Sequence, residues 1–398
     1  MKSIVLLGSS GSIGESTLRV VDALPSRLRV AGLAVNRNYG RALEQALKYG
    51  VRHIAVADPE MARRCAAEAP AGVRVHHGAK GVEELASMEG ADTVVCALVG
   101  IAGLRPVLAA AGRGAEIALA TKEVLVAAGA IVTEACRRSG ARLIPVDSEH
   151  SAILQCLEAR EAGSEEPGRR VRTPVVNGPR SDVRRIILTA SGGPFASKPE
   201  VDLNRVTIAE ALKHPRWHMG RKVTVDSATL MNKGFEVLEA RWLFDMPTDR
   251  IDVLIHPESI VHSLVEFVDG SLLAQMSLPD MRFAIQYALT RPDRVDGALP
   301  RLDLAAMGRL HFAVPDETRF PALGLAREAD RIGGTLPAVL NAANEVAVDR
   351  FLDGTIPFAG IWRLVADVVA RHTVTRDPSL DDIVAADAWA RMAAAESA

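Results

Sequence analysis

Cysteine is scarce in this 398-residue chain: Cys65, Cys96, Cys136 and Cys156, none in C-x-x-C spacing. They lie in apolar or helix-like contexts. Reduced thiols in or near a core, as in a cytoplasmic protein, are expected. A basic block is also missing. The 47 basic and 49 acidic residues leave a net charge of -2, which argues against nucleic acid as a partner. Long apolar runs are absent too. The most apolar stretch, Val94 to Leu104, is well short of a membrane span and is followed by Arg105. Lys2 and Ile4-Val5-Leu6-Leu7 imitate the start of a signal peptide, but the run stops at Gly8, so no targeting segment is expected. No internal repeat is evident.

What remains is a globular composition, 48% hydrophobic and 24% charged. The length exceeds one ordinary core and implies roughly two or three domains. Up to about residue 150, short apolar runs alternate with helical periodicity. Strands are expected at Ile4 to Leu7, Leu28 to Val35, Ile54 to Ala57, Thr93 to Ala97, Glu116 to Ala120 and Ala141 to Val146. Helices are expected at Glu15 to Leu24 and Arg41 to Tyr49. This alternation predicts an α/β, Rossmann-like unit with a parallel sheet covered on both faces. Ligands in such sheets sit at the carboxyl ends of strands. The turn after Leu7, Lys122 and Asp147 all occupy such ends.

Gly8-Ser9-Ser10-Gly11-Ser12-Ile13-Gly14 joins the first strand to the first helix. Its glycines let backbone N–H groups approach a pyrophosphate at a helix N-terminus, although a purely structural turn has the same spacing. After the second strand, where an NAD enzyme usually carries an acidic residue, stands Asn36-Arg37-Asn38. An arginine there suits the 2′-phosphate of NADP; a solvated loop arginine is the alternative.

Val146-Asp147-Ser148-Glu149-His150 is the strongest chemical signal. In an extended segment, Asp147 and Glu149 would point to one side. Glu236, beside Asn232 and Lys233, could fold back onto them. Three carboxylates without a His or Cys ligand pattern suggest a hard cation, Mg2+ or Mn2+, with Co2+ also admissible. Lys, Asn and serines nearby suit an anionic substrate.

Residues 158–185 are charged and rich in turn formers, and read as an exposed insertion. Ile186-Ile187-Leu188-Thr189 reads as a strand ending at Ser191-Gly192-Gly193-Pro194, whose backbone donors suit phosphate as readily as an ordinary turn. Trp217, in the Pro- and Gly-bounded loop His214 to Gly220, is a lid or a half-buried anchor. His214 and His218 raise zinc only weakly, without cysteine or a His-x-x-x-His helix. Asp269-Gly270 between Val261 to Val268 and Ser271 to Ser277 predicts a hairpin. A mixed or antiparallel sheet, suited to dimerisation, is therefore expected in the central α+β unit. From about Leu310 the pattern turns helical, most clearly at Leu336 to Leu352 and Ile361 to His372. The units expected are 1–147, 148–300 and 301–398.

Gly8 to Gly14, Thr121-Lys122-Glu123, Pro145 to His150, Ser191 to Phe195, His214 to Trp217, Asp226 to Gly234 and Leu340 to Glu345 together resemble the 1-deoxy-D-xylulose 5-phosphate reductoisomerase family, in order from residue 3 to about 350. The resemblance implies reductive isomerisation of that sugar phosphate to 2-C-methyl-D-erythritol 4-phosphate, the second step of the non-mevalonate isoprenoid route. It implies NADPH, a divalent metal and a cytoplasmic homodimer. It implies Asp147, Glu149 and Glu236 as metal ligands, and Ser191, Ser227, Asn232 and Lys233 around the substrate phosphate. Ser148 and His214 would contact the substrate backbone, and Lys122 would lie between cofactor and substrate. Trp217 and Met219 would belong to a closing loop. NADPH would meet Ser10, Gly11, Ser12, Ile13, Asn36, Arg37, Asn38, Thr121, Glu123 and Gly220. Thr121 departs from the Asn of many members. Lys122, Glu149 and His214 are the catalytic candidates, with Glu149 or a water moving protons. A related NADP enzyme with another sugar phosphate, or a non-catalytic NADP-binding regulator, are the alternatives. The intact carboxylates and Lys233 argue against both.

Overall fold

Ile4-Val5-Leu6-Leu7 is apolar at every position, and only a strand covered on both faces can bury such a run. In the computed structural model, which describes residues 1–158, 181–217 and 219–397, it lies in the middle of a sheet. The strands are β1 (Lys2–Leu7), β2 (Leu28–Val35), β3 (His53–Val56), β4 (Arg74–His77), β5 (Thr93–Cys96), β6 (Glu116–Leu119) and β7 (Arg142–Pro145). All pair in parallel, in the order β4-β3-β2-β1-β5-β6-β7. The order reverses between β1 and β5, which opens a crevice outside their carboxyl ends. β4 had no signal in the sequence. It is a polar, half-exposed edge strand, Arg74-Val75-His76-His77, with no apolar pattern to betray it.

A second, four-stranded sheet follows: β8 (Val183–Ala190), β9 (Ile251–Ile255), β10 (Val261–Phe267) and β11 (Leu272–Met276), in the order β11-β10-β8-β9. β8 runs parallel to β9 and antiparallel to β10, so the sheet is mixed. β10 and β11 form the expected hairpin, with the Asp269 carboxylate accepting from the Ser271 N–H across the turn. β9 was not foreseen; its five residues find their partner, β8, far back in the chain. Most of the predicted insertion, residues 159–180, lies outside the described residues, as does His218. Its two ends are regular structure rather than loop. Glu158 closes the helix Ser148–Glu158, and Val183 opens β8.

The C-terminal part is helical, with Ala322–Ile332, Leu336–Leu352, Gly360–Arg371 and Leu380–Glu396. Leu336–Leu352 packs against the two helices that follow it, and also against Glu123–Ser139 and Arg221–Thr229. The last two begin beside the cavity described below, so the helical part backs the site. Among the described residues, no helix is long and apolar enough to cross a membrane.

Candidate active site

Each element delivers its side chain for a local reason. Asp147 stands just past β7 and is not followed by extended chain, contrary to the expectation for Asp147 and Glu149. Its backbone carbonyl accepts from the Ser151 N–H at 2.8 Å and its carboxylate from the Glu149 N–H at 3.3 Å, so it starts the helix Ser148–Glu158. An aspartate closing a strand is a strong helix start. A carboxylate in the first helical turn, here Glu149, suits the positive end of the helix dipole. Leu230 takes a left-handed conformation (φ 64°) between the helices Arg221–Thr229 and Met231–Phe244. That sharp turn aims Asn232, Lys233 and Glu236 at the end of β7.

The three carboxylates, Asp147, Glu149 and Glu236, each offer an oxygen within 4.8 Å of the others. Two ammonium groups hold them together. Lys122 Nζ lies 2.6 Å from Asp147 and 3.2 Å from Glu236; Lys233 Nζ lies 2.7 Å from Glu149 and also contacts Glu236. Asn232 accepts from Lys122 at 2.9 Å and donates to Glu236. Burial disfavours the charge on Lys122, yet Asp147 and Glu236 hold its pKa well above the usual range. Burial and the charge of Glu149 push the Glu236 carboxyl up. An all-oxygen set of three acids fits a hard divalent cation. Adding one to this cluster would leave the site net positive, ready for a phosphate dianion. Asn232 and Lys233, which the resemblance places around the substrate phosphate, here contact the carboxylates.

Ser191 and Ser227 form a second cluster. Ser191 follows β8, and Ser191 Oγ lies 3.5 Å from Ser227 Oγ and 2.8 Å from His214 Nε2. Gly193 (φ 61°) lets this turn approach the next helix: a Cβ there would lie 2.8 Å from the Ser227 carbonyl oxygen. The N–H groups of Arg216 and Trp217 both donate to His214 Nδ1, at 3.2 and 2.8 Å. The ring proton therefore sits on Nε2 and is directed at Ser191. One histidine so ties the Trp217 loop to the serine pair.

Burial pushes the imidazolium of His214 down, to a pKa of about 4. A folded value below the unfolded one of about 6.5 means that neutral His214 favours the fold above that pH. The contribution should fade as pH falls from about 6.5 through 4. Imidazole resonances followed by NMR should show His214 neutral down to about pH 5; a midpoint near 6.5 would contradict this environment.

Both clusters line one cavity of about 750 Å³, together with Ser12, Ile13, Ser148, Trp217, Met219 and Gly220. Gly8 (φ 89°) passes so close to Ala97 that a Cβ would meet its carbonyl oxygen at 2.3 Å, which seats the glycine turn at the β1–β5 crevice. Gly11 precedes the helix Ser12–Ala23, with Ser10 half-buried in the turn. Asn36, Arg37 and Asn38 are exposed beyond β2. Arg37 pairs with Asp58 at 3.0 Å, and the Asn38 side chain caps the next helix. Glu123 pairs with Lys222 at 3.2 Å. Thr121 points elsewhere: it is buried, and its hydroxyl donates to the Leu98 carbonyl, so its side chain offers a cofactor nothing.

The sequence reading missed His256 and His262, which also line the cavity. His262 is buried and stands edge-on to Trp217, ring centres 6.3 Å apart. Burial lowers its pKa to about 4 as well. His256 accepts from the N–H groups of Ile260 and Val261, each at 3.1 Å, and so holds the connection from β9 to β10. The available signal was Ile255-His256-Pro257, a polar residue closing an apolar run, where ligand-facing residues stand.

Three family models match the chain. That for 1-deoxy-D-xylulose 5-phosphate reductoisomerase covers residues 4–129, and its C-terminal domain model covers 143–244. A DXP reductoisomerase C-terminal domain covers 276–393. The chain is 50% identical over 394 residues to the 1-deoxy-D-xylulose 5-phosphate reductoisomerase of Pelotomaculum thermopropionicum, covering 98% of this chain and 97% of the relative. It is 50% identical over 400 residues to that of Symbiobacterium thermophilum, covering 99% and 98%. A solved Zymomonas mobilis reductoisomerase in complex with NADPH superposes with a TM-score of 0.87 at 39% identity, over 100% of both chains. A DOX-P reductoisomerase with NADPH, fosmidomycin and magnesium superposes at 0.89 and 38%, over 99% of this chain and 98% of that one.

Proposed function

The chain belongs to the 1-deoxy-D-xylulose 5-phosphate reductoisomerase family, and we propose that the carboxylate cluster beside Trp217 is where it converts that sugar phosphate into 2-C-methyl-D-erythritol 4-phosphate. The carrying observation is the meeting of Asp147, Glu149 and Glu236 with Lys122 and Lys233 in one cavity. When bound, a divalent cation supplies Lewis acidity and NADPH a hydride. Mg2+ suits the three acids, and solved relatives are described with magnesium and NADPH.

The chain's own residues do the rest. Asp147, Glu149 and Glu236 hold the cation, and Lys122 spans the gap between nucleotide and substrate. Ser191, oriented by the Nε2–H of His214, and Ser227 donate to the phosphate, and Lys233 and Asn232 complete the anionic site. Ser148 donates to Glu149 at 2.5 Å, orienting the carboxylate that moves the proton during the carbon-skeleton rearrangement. Trp217 and Met219 close over the substrate and exclude water from the reactive aldehyde. The glycine turn, Ser12, Ile13 and residues 36–38 would receive NADPH, with Glu123 in contact with it and Gly220 nearby. The units doing this are 1–147 for nucleotide, 148–300 for substrate and metal, and 301–398 as helical support.

The test is NADPH consumption with 1-deoxy-D-xylulose 5-phosphate. It should require Mg2+ or Mn2+; turnover unaffected by excess EDTA would refute the reading.

Arg37→Ala should raise the NADPH Michaelis constant and spare NADH, costing roughly 1.5–3 kcal/mol, the scale of a charge-assisted hydrogen bond. An unchanged NADPH/NADH preference would place selectivity elsewhere.

A homodimer is proposed from β11, the outermost strand of its sheet among the described residues. Leu272 and Leu273 are 51% and 40% exposed there, and an apolar edge strand invites a partner. Leu273→Lys should shift the sedimentation coefficient from dimer to monomer; a wild-type monomer at micromolar concentration would end the idea. All four cysteines are free and buried, which suits a cytoplasmic location. Recovery in an oxidising compartment after fractionation would contradict it.

A further inference from the structure

Behind the carboxylate cluster lies an ionisable pair with no role so far. His150, on the helix Ser148–Glu158, and Glu239, on Met231–Phe244, are both fully buried. His150 Nε2 donates to the backbone carbonyl of Glu236 at 2.9 Å. Its Nδ1 faces two acids, lying 3.4 Å from Asp147 Oδ1 and 3.4 Å from Glu239 Oε2. The Phe244 ring stacks on the imidazole, 5° from parallel with centres 6.3 Å apart. One ring is thus fastened to the backbone of one candidate metal ligand and turned toward the side chain of another.

Glu239 is the outer end of this chain of contacts. Among the described residues, neither of its carboxylate oxygens has a hydrogen-bond partner, and both are shut off from solvent. An isolated buried carboxylate is costly, and the nearby imidazole is the group that offsets it. A carboxylate on the far side of a histidine fixes the ring's orientation and tautomer.

We propose that Glu239 is a positioning residue for the cation site: it holds the His150 ring, and through that ring it sets the orientation of Asp147. This rests on Asp147 being a metal ligand. Such outer partners typically account for about 10–100-fold in metal affinity. Packing alone predicts no such dependence on the carboxyl group, because glutamine fills the same volume as glutamate.

The experiment uses the full chain without substrate or nucleotide. Mn2+ is added and the free ion counted by electron paramagnetic resonance. The wild type should bind one Mn2+ per chain. Glu239→Gln should bind it about 10–100-fold more weakly. Glu239→Asp, which keeps the carboxyl group, should lose less, and NADPH affinity, read by fluorescence, should be the same in all three. Asp147→Asn separates the two readings. If it binds Mn2+ like the wild type, the ligand assignment fails. If it loses Mn2+ while Glu239→Gln stays within twofold of wild type, the positioning role alone is overturned. Equal losses in the Gln and Asp variants would also overturn it. So would two Mn2+ per wild-type chain, since Asp147, His150 and Glu239 are close enough to chelate an ion directly. If Glu239→Gln does not fold, His150→Gln takes its place with the same expectation and the same refuting result.

Discussion

Glu236→Gln, or Asp147→Asn, should lower turnover by about 100-fold or more while NADPH binds nearly as before. Each change removes one of three anionic groups facing the cation, on the scale of losing one strong electrostatic stabiliser. Glu236 is the harsher case. It is buried and accepts from Lys122, Asn232 and Lys233 at once. A neutral amide there weakens three contacts and the cation together. Steady-state kinetics across a Mg2+ titration, with NADPH affinity measured separately, checks the expectation. Turnover within a few fold of wild type at low Mg2+ would remove Glu236 from the ligand set.

Lys233→Ala should have the second large effect, in two parts that follow from the proposed phosphate contact and from its place between two acids. Loss of a charged donor for the substrate phosphate should raise the Michaelis constant. It should also lower turnover, since phosphate binding energy helps align the reacting carbons. A combined fall in kcat/KM of about 100-fold is expected, near the upper end for one charge-assisted hydrogen bond. The second part concerns the protein without metal. Lys233 is buried between Glu149 and Glu236, so its removal leaves two acids under-compensated. Breaking a buried pair from one side costs on the order of 3–5 kcal/mol. The variant should melt lower than wild type without metal, and Mg2+ should raise its melting temperature more than it raises that of the wild type. Equal responses to Mg2+ in both proteins would show that Lys233 does not neutralise the cluster.

Legibility in the sequence varied with the kind of interaction. Buried central strands such as β1 and β5 announce themselves as short apolar runs, because full burial forbids polar residues on either face. β4 and β9 did not. One is a polar edge, and the other depends on pairing with a strand remote in sequence. The hairpin at Asp269-Gly270 was readable because turn chemistry is local. Asp147 and Glu149 do meet Glu236, but not in the extended geometry expected of them. An aspartate that ends a strand can also start a helix, and here the cap prevailed.

By itself, the sequence determined the class of chemistry: a glycine turn after an apolar strand, a basic loop after the next, and three acids with lysine and serine near them. Those features are set by residue type and short-range spacing, which backbone geometry alone converts into position. Only the tertiary structure decided who meets whom. It put Lys233 on Glu149 and Glu236, tied His214 to both Ser191 and the Trp217 loop, turned Thr121 into the core, and brought His262 and Glu239 to the site's edges. These contacts join segments far apart in the chain. They depend on strand order, the left-handed turn at Leu230 and the burial of charge, and none of these has a local signature.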